Sequence, residues 1–273
     1  MNYNKNNIVL ISIIVCCIPS SLFAQGGLAS KNIKESVALV GGTLHIGTGK
    51  IIPNAIIGFK NGKISIVEKA ETVQIDSSEY NIIDLSGQHI YPGFILLNSL
   101  IGIEEISGVP HTNDILEQGR INPSLNTAYA FNSDSEFLPV LRFNDILTVE
   151  TDPIGGMISR SSSVMKLDGR NWEESLYKFG AGIHLNWPNS TKTSYDTATN
   201  TRQINPDKNY NTNVAELKGI FTQAIAYGKL DGKKPNLKLE TVQGLFNGTK
   251  HCLSMPMNQR KLLKVFKLQK RWE

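Results

Sequence analysis

Pro92 and Gly93 divide this sequence into two parts with different patterns of apolar residues. Before them, short β-like segments alternate with glycine-rich turns. The Asn61-Gly62 pair between two apolar runs is a strong hairpin signal, because both residues tolerate positive φ. After them, the apolar run at residues 94–97 is typical of a strand buried on both faces. The pattern predicts an α/β chain, with a small β-sandwich at residues 37–91 and a parallel sheet or barrel at residues 92–250.

The second part of the chain contains further signals. Asn171 is placed to cap a helix that runs through residue 178, and residues 183–186 form a short strand pattern. Residues 189–212 are polar without apolar periodicity, which predicts a surface loop. Asn213 precedes Glu216 by three residues and resembles the start of a helix with a capping box.

The first 24 residues have the features of a signal peptide. Lys5 supplies the positive charge, residues 8–18 are apolar, and Ala24 offers a cleavage site. A membrane anchor is the alternative, but this apolar run is shorter than the roughly 20 residues that span a bilayer. We therefore expect an exported protein, periplasmic or secreted, with no stable membrane span. Residues 25–36 are a linker in this interpretation.

Composition argues against nucleic acid as a partner. The chain has 273 residues, of which 40% are hydrophobic and 19% charged, and the net charge is only +4. Much of the positive excess lies in residues 250–271, and the sequence contains no zinc-finger, RNP-like or Walker pattern. After signal cleavage Cys252 is the only remaining cysteine, which excludes an internal disulfide in the mature chain.

Several short motifs occur in a characteristic order. They are GGTL at 41–44, GTG at 47–49, NGKI at 61–64, IDL at 83–85, YPGFI at 91–95, FNSDS at 131–135 and IGGMIS at 154–159. In this order the chain resembles the amidohydrolase superfamily, in its imidazolonepropionase-like branch, over residues 37–250. The resemblance implies a small N-terminal β-sandwich followed by a partial TIM (β/α) barrel.

The resemblance also locates the positions where the family holds its metal, zinc or a similar divalent ion. Immediately after the Pro-Gly-Phe-Ile turn the family carries an Asp and then two His separated by one residue. Here Leu96 takes the Asp position, and Asn98 and Leu100 take the two His positions. Leucine cannot bind a metal, and asparagine is a poor ligand for zinc. We therefore predict no metal ligands and no cofactor for this chain.

Few other residues are candidates for a site, and the catalytic residues stay unknown. His184 ends a predicted strand beside Asn186, although a lone histidine is more often structural. Glu104 and Glu105 follow the first barrel strand at its carboxyl end, where sites of this fold lie, although paired acids on a loop are usually only solvated. Residues 161–163, three serines, lack a nucleophile-elbow pattern and are interpreted as a polar loop.

Residues 251–273 are divergent, because the resemblance stops at His251. Residues 260–270 are compatible with a cationic amphipathic helix, either at a membrane surface or merely solvated. A frameshift near Lys250 is a third hypothesis. Read one nucleotide earlier, codons for this segment permit A-L-F-I-H-A-N-E-P, and the family places a strand ending in His-Ala-Asn here. A barrel shortened in this way leaves an open sheet edge and exposed apolar surface.

The resemblance implies a metal-dependent hydrolase of C–N bonds in cyclic amides or related small molecules. The missing ligands predict that this chain, as it stands, is inactive. The alternative is a non-catalytic member that binds a small molecule or is the partner subunit of an active amidohydrolase. A decayed gene product that does not accumulate in cells is a third hypothesis.

Overall fold

The computed structural model of the protein describes residues 35–254 except residue 198. The predicted signal peptide at residues 1–24 lies outside the described residues, as do most of the linker at 25–36 and the tail from residue 255 onward. The described strands form two five-stranded sheets and a separate two-stranded hairpin. None of the helices in this part of the chain combines the length and apolar character that crossing a bilayer requires.

The first sheet is built by the segment before Pro92. Its strands are β1 (Val37–His45), β2 (Ile51–Lys60), β3 (Lys63–Lys69), β4 (Asn81–Asp84) and β5 (His89–Ile90). β1, β2 and β3 are antiparallel neighbours, and β4 and β5 both pair in parallel with β1. The predicted hairpin is confirmed, because Asn61 and Gly62 connect β2 to β3 with φ of 53° and 71°.

The predicted β-sandwich is only partly seen in this segment. Leu44, Ile52, Ala55 and Ile57 are buried and form one apolar cluster of the sheet. Among residues 35–91 the strands make a single mixed sheet, and a second sheet facing it is not formed by them.

The second part of the chain supplies seven strands between residues 94 and 254. They are β6 (Phe94–Ser99), β7 (Ile146–Thr151), β8 (Ile158–Lys166), β9 (Leu176–Leu185), β10 (Thr191–Asp196), β11 (Thr201–Pro206) and β12 (His251–Ser254). The sheet order is β12-β9-β8-β7-β6, and β10 pairs only with β11. β6 is parallel to β7 and β12 to β9, whereas β8 is antiparallel to both of its neighbours. This mixed sheet is curled like half a barrel, which fits the predicted partial barrel.

Four α-helices accompany the second sheet in the described residues. They are α1 (Phe137–Phe143), α2 (Trp172–Ser175), α3 (Tyr210–Gly228) and α4 (Leu237–Gln243), and two 3-10 helices lie at Pro110–Thr112 and Thr127–Ala130. α3 is the longest and buries Leu217, Phe221 and Ala224 in an apolar cluster with Ile158 and Ile183 of the sheet. This cluster fixes β8 and β9 against the helical layer.

Two local predictions were wrong because strand pairing overrides local signals. Asn171 does cap a helix, since its side chain accepts a hydrogen bond from the Glu174 N–H at 2.8 Å, but the helix ends at Ser175. The following residues extend as β9 and pair with β8. Residues 189–212, expected to be a loop, instead contain the β10–β11 hairpin and the start of α3 at Tyr210. The hairpin is largely exposed on both faces, so its sequence carries no apolar alternation.

The prediction that residues 94–97 are buried on both faces was also wrong. Phe94, Ile95 and Leu97 are 64%, 63% and 63% exposed. β6 is the last strand of its sheet in the described part of the chain and pairs only with β7. Apolar composition cannot tell an edge strand from a central strand, because both can be composed of the same residues.

The predicted boundary after residue 250 does not coincide with a break in the sheet. β12 (His251–Ser254) pairs in parallel with β9, with His251 opposite Gly182 and Leu253 opposite His184. The first four residues of the predicted divergent tail therefore belong to the second sheet.

The packing of α3 on the sheet can be tested by shortening Leu217, whose side chain is fully buried. We expect Leu217→Ala to lower the free energy of unfolding by about 2–5 kcal/mol, because it removes buried methyl groups and leaves a cavity. Leu230→Ala is the matched control, since Leu230 is 59% exposed and its shortening should cost less than about 0.5 kcal/mol. Urea unfolding measures both values, and equal effects would contradict this packing.

Candidate metal centre

Three metal-ligating side chains meet at the carboxyl ends of two strands. Glu150 lies on β7, Asp152 follows its end, and His184 is next to last in β9. Because β8 is antiparallel to both, β7 and β9 point the same way and end at the same edge of the sheet. Glu150 and Asp152 are two apart along an extended chain and so share a face. One ligand atom from each of the three residues lies within 4.8 Å of the other two.

The cluster is buried and only partly satisfied by hydrogen bonds. Asp152 is 3% exposed and His184 is 2% exposed. The His184 Nε2 and Asp152 Oδ1 atoms are 3.1 Å apart, as in an ion pair, but are not aligned for a hydrogen bond. Neither atom has another hydrogen-bond partner among the described residues. Since buried polar atoms are nearly always bonded, these two atoms have unused capacity to bind a ligand.

Glu150 has a defined orientation and a perturbed ionisation. The Ser162 hydroxyl on β8 donates a hydrogen bond of 2.8 Å to its Oε1 atom. Burial raises the pKa of Glu150, and the nearby Asp152 carboxylate raises it further, against the opposing effects of Ser162, His184 and His251. A cation bound to the cluster would reverse this balance by compensating both negative charges.

The donor set fits a divalent cation. Two carboxylates and one imidazole are ligands that zinc and related transition metals accept, and three protein ligands are typical of sites that keep one position open. The hydroxyl of Ser162 donates a hydrogen bond that orients the Glu150 carboxylate, as residues next to metal ligands usually do. The described residues contain no other group of three such side chains this close together.

Only one of the three candidate site residues named from the sequence lies in this cluster. His184 lies in the cluster, whereas Glu104 and Glu105 do not. The Glu105 carboxylate accepts hydrogen bonds from Asn132 Nδ2 at 3.2 Å and Ser135 Oγ at 2.9 Å, and Glu104 pairs through its backbone with Asn113. Both glutamates therefore belong to the loop after β6.

The positions where the sequence resemblance implies metal ligands contribute nothing to the cluster. Asn98 is exposed and has a left-handed backbone with φ of 54°, at an irregularity in the pairing of β6 with β7. Leu100 is half-buried and follows the end of β6. The grouping of Glu150, Asp152 and His184 instead uses strands β7 and β9.

Sequence reasoning missed Glu150 and Asp152. A signal was present, because two acids separated by one residue on a strand point to the same face and can bind one metal. The interpretation of residues 161–163 as a polar loop was wrong, since these serines lie on β8 and are at most 2% exposed. Each hydroxyl has an internal partner: Pro123 O for Ser161, Glu150 for Ser162 and Asn126 for Ser163.

Comparisons with known proteins identify a shared fold. No family model matches the sequence, and no curated protein matches it. The structure is similar to an amidohydrolase from Thermotoga maritima MSB8, with a TM-score of 0.68 and 17% identity, over 86% of this chain. The chain spans 62% of the length of that protein. The chain therefore has an amidohydrolase-like fold.

Two other solved structures match only short segments. A proposed prolidase from Bifidobacterium longum is 27% identical over 25% of this chain and 18% of its own, with a TM-score of 0.23. A molinate hydrolase is 25% identical over 29% of this chain and 18% of its own, with a TM-score of 0.24. Matches this short add nothing to the assignment of the fold.

Metal binding can be measured as a gain in thermal stability. We expect Zn²⁺ or Mn²⁺ to raise the melting temperature of chelator-treated protein, because a ligand at about 100 times its Kd stabilises the native state by about 2.7 kcal/mol. Asp152→Asn and His184→Gln should each abolish this rise. Glu104→Gln is the control and should keep it. A rise of the same size in Asp152→Asn would show that the cation binds elsewhere.

The raised pKa of Glu150 predicts a pH dependence of the metal-free protein. An acid whose pKa is higher in the folded state binds more protons when folded, so its contribution to stability falls as pH rises above 4.5 through the folded pKa. We expect Glu150→Gln to remove this loss while keeping an acceptor for Ser162. The variant should therefore be more stable than wild type at pH 7.5, by a margin that shrinks toward pH 4.5. Denaturant unfolding at several pH values would refute this if the margin were constant.

Proposed function

We propose that this chain is by lineage a metal-dependent hydrolase of C–N bonds in cyclic amides or related small molecules, and that as it stands it binds a divalent cation without turnover. The observation that carries the proposal is the buried group of Glu150, Asp152 and His184, with two unbonded ligand atoms, within an amidohydrolase-like fold. The lineage is supported by the fold and by the ordered motifs of the sequence.

Burial of the cluster argues for a structural cation. Glu150, the most exposed of the three residues, is only 8% exposed. A substrate must contact the reacting groups of a hydrolase, and side chains this deeply covered offer it little surface. The family's own ligand positions hold Asn98 and Leu100, which do not supply imidazoles.

The roles of the individual residues follow from their contacts. Asp152 and His184 would bind the cation with the two atoms that lack hydrogen-bond partners. Glu150 would bind with the carboxylate that Ser162 orients. When bound in a hydrolase, such a cation polarises the carbonyl under attack. In this chain its main effect would be to join β7 to β9 across β8.

Metal content and turnover can be measured on the same preparation. We expect one divalent cation per chain by elemental analysis after loading, and no hydrolysis of hydantoins, dihydropyrimidines or lactams above the rate in buffer. Asp152→Asn is the matched control and should lose the cation. Metal-dependent product formation that disappears in Asp152→Asn would overturn the proposed inactivity and assign the chain as an enzyme. Absence of bound metal in the wild type would overturn the metal site.

A second candidate is a non-catalytic partner subunit of an active amidohydrolase. The observation that favours it is the edge strand β6, where Phe94, Ile95 and Leu97 are each more than 60% exposed. Unpaired strand edges with exposed apolar side chains are surfaces that other chains can bind. The two candidates differ in a measurable respect, because a partner subunit forms a stable complex with an active amidohydrolase from the same cells and a solitary binding protein does not.

Export is part of the same proposal. Its support is the amino-acid pattern of residues 1–24, with Lys5 followed by an apolar run and Ala24. Cell fractionation with an antibody to the chain would place it in the periplasm or medium if the proposal is right, and in the cytoplasm if it is wrong.

A further inference from the structure

Two histidines meet at one end of the first sheet, far in sequence from the cluster of Glu150, Asp152 and His184. His45 is the last residue of β1 and His89 is the first of β5. The parallel register places His89 opposite Thr43, two residues before His45, so both imidazoles are on the same face. The His45 Nε2 atom lies 2.9 Å from the His89 Nδ1 atom, and the ring centroids are 5.2 Å apart.

Tyr91 holds this pair in position from one side. Its ring stacks on His45 at 4.3 Å between centroids and 14° between planes, and lies 6.2 Å from the ring of His89. His45 is half-buried, whereas His89 and Tyr91 are exposed. The two nitrogens are thus set by a strand pair and a stacked ring, with solvent access on the open side.

The separation of the two nitrogens is compatible with both of them binding one cation. With metal–nitrogen bonds of about 2.0 Å, neighbouring ligands of a square-planar ion lie about 2.8 Å apart, and those of a tetrahedral ion lie about 3.3 Å apart. The observed 2.9 Å is the length of the hydrogen bond that joins the two rings in the metal-free protein, and small ring rotations reach either value. In the metal-free protein one imidazole N–H donates to the other nitrogen, and a cation can replace that shared proton after small ring rotations.

We propose that His45 and His89 form an exposed binding site for Cu²⁺, with water in the remaining coordination positions. Square-planar nitrogen sites are typical of Cu²⁺ and Ni²⁺, and Cu²⁺ binds a given set of nitrogen ligands more tightly than Ni²⁺ or Zn²⁺. The site differs from the cluster on the second sheet in its donors, two imidazoles against two carboxylates and one imidazole. It does not depend on the function proposed above.

Electron paramagnetic resonance of Cu²⁺ added to the full chain tests this site. The measurement is made in an Asp152→Asn background, which disables the other cluster. We expect a tetragonal Cu²⁺ signal with splitting from two imidazole nitrogens. His89→Asn changes an exposed side chain and should remove this signal or weaken binding by roughly tenfold or more. His45→Asn should do the same, and His111→Asn, a distant exposed histidine, should leave it unchanged.

The outcome is decided by the two strand variants. Loss of the signal in His89→Asn and His45→Asn, with melting temperatures of the metal-free proteins close to that of the parent, supports the site. An unchanged signal in His89→Asn overturns it, because the copper is then bound elsewhere on the chain. A signal that Ni²⁺ or Zn²⁺ displaces at equal concentration overturns the preference for copper.

Discussion

The pairing of β8 with both β7 and β9 is the interaction on which the second half of the structure depends. β8 is antiparallel to each neighbour, so β7 and β9 run in the same direction and end together. This arrangement brings Glu150 and Asp152, from one strand, to within ligand distance of His184, from the other. The same pairing places Ser162 where its hydroxyl orients Glu150. A cation held by these ligands would in turn strengthen the strand arrangement that creates the site.

Many polar side chains in the interior of this sheet have hydrogen-bond partners, but several buried atoms do not, among them Asn126 Nδ2 and Arg160 Nε. The three consecutive serines of β8 each donate to an internal acceptor. Arg160, only 5% exposed, donates to the backbone oxygens of Asp114 and Leu116 and pairs with the Asp114 carboxylate. His184 Nε2 and Asp152 Oδ1 also lack hydrogen-bond partners, and an unpaired buried polar atom costs roughly 1–3 kcal/mol. These two atoms differ from the others because they lie together with Glu150 in one group of metal-ligating side chains. A bound cation would offset that cost, because no protein group in the described residues forms a hydrogen bond with these two atoms.

The sequence predicted the features that depend on neighbouring residues and missed those that depend on distant pairing. Asn61-Gly62 fixes a hairpin by its own backbone preferences, and Asn171 caps a helix within one turn. The extension of residues 176–182 as the first part of β9 depends on β8, because a local strand pattern is present only from residue 183 onward. His184 was a candidate because of its place at a strand end. Glu150 and Asp152 had a local signal in their spacing, but the grouping of Glu150 with a histidine 34 positions further along the chain depends on the register.

The absence of histidine at positions 98 and 100, where the sequence resemblance implies metal ligands, does not by itself remove every means of binding a metal in this fold. Those positions lie on and after β6, an edge strand in the described part of the chain, where Asn98 is exposed. The cluster of Glu150, Asp152 and His184 lies on strands with neighbours on both sides and beneath more protein. Such a site can bind a cation tightly, and the surrounding protein keeps substrate from reaching it. In such a chain the bound cation would stabilise the fold but would not contact a substrate.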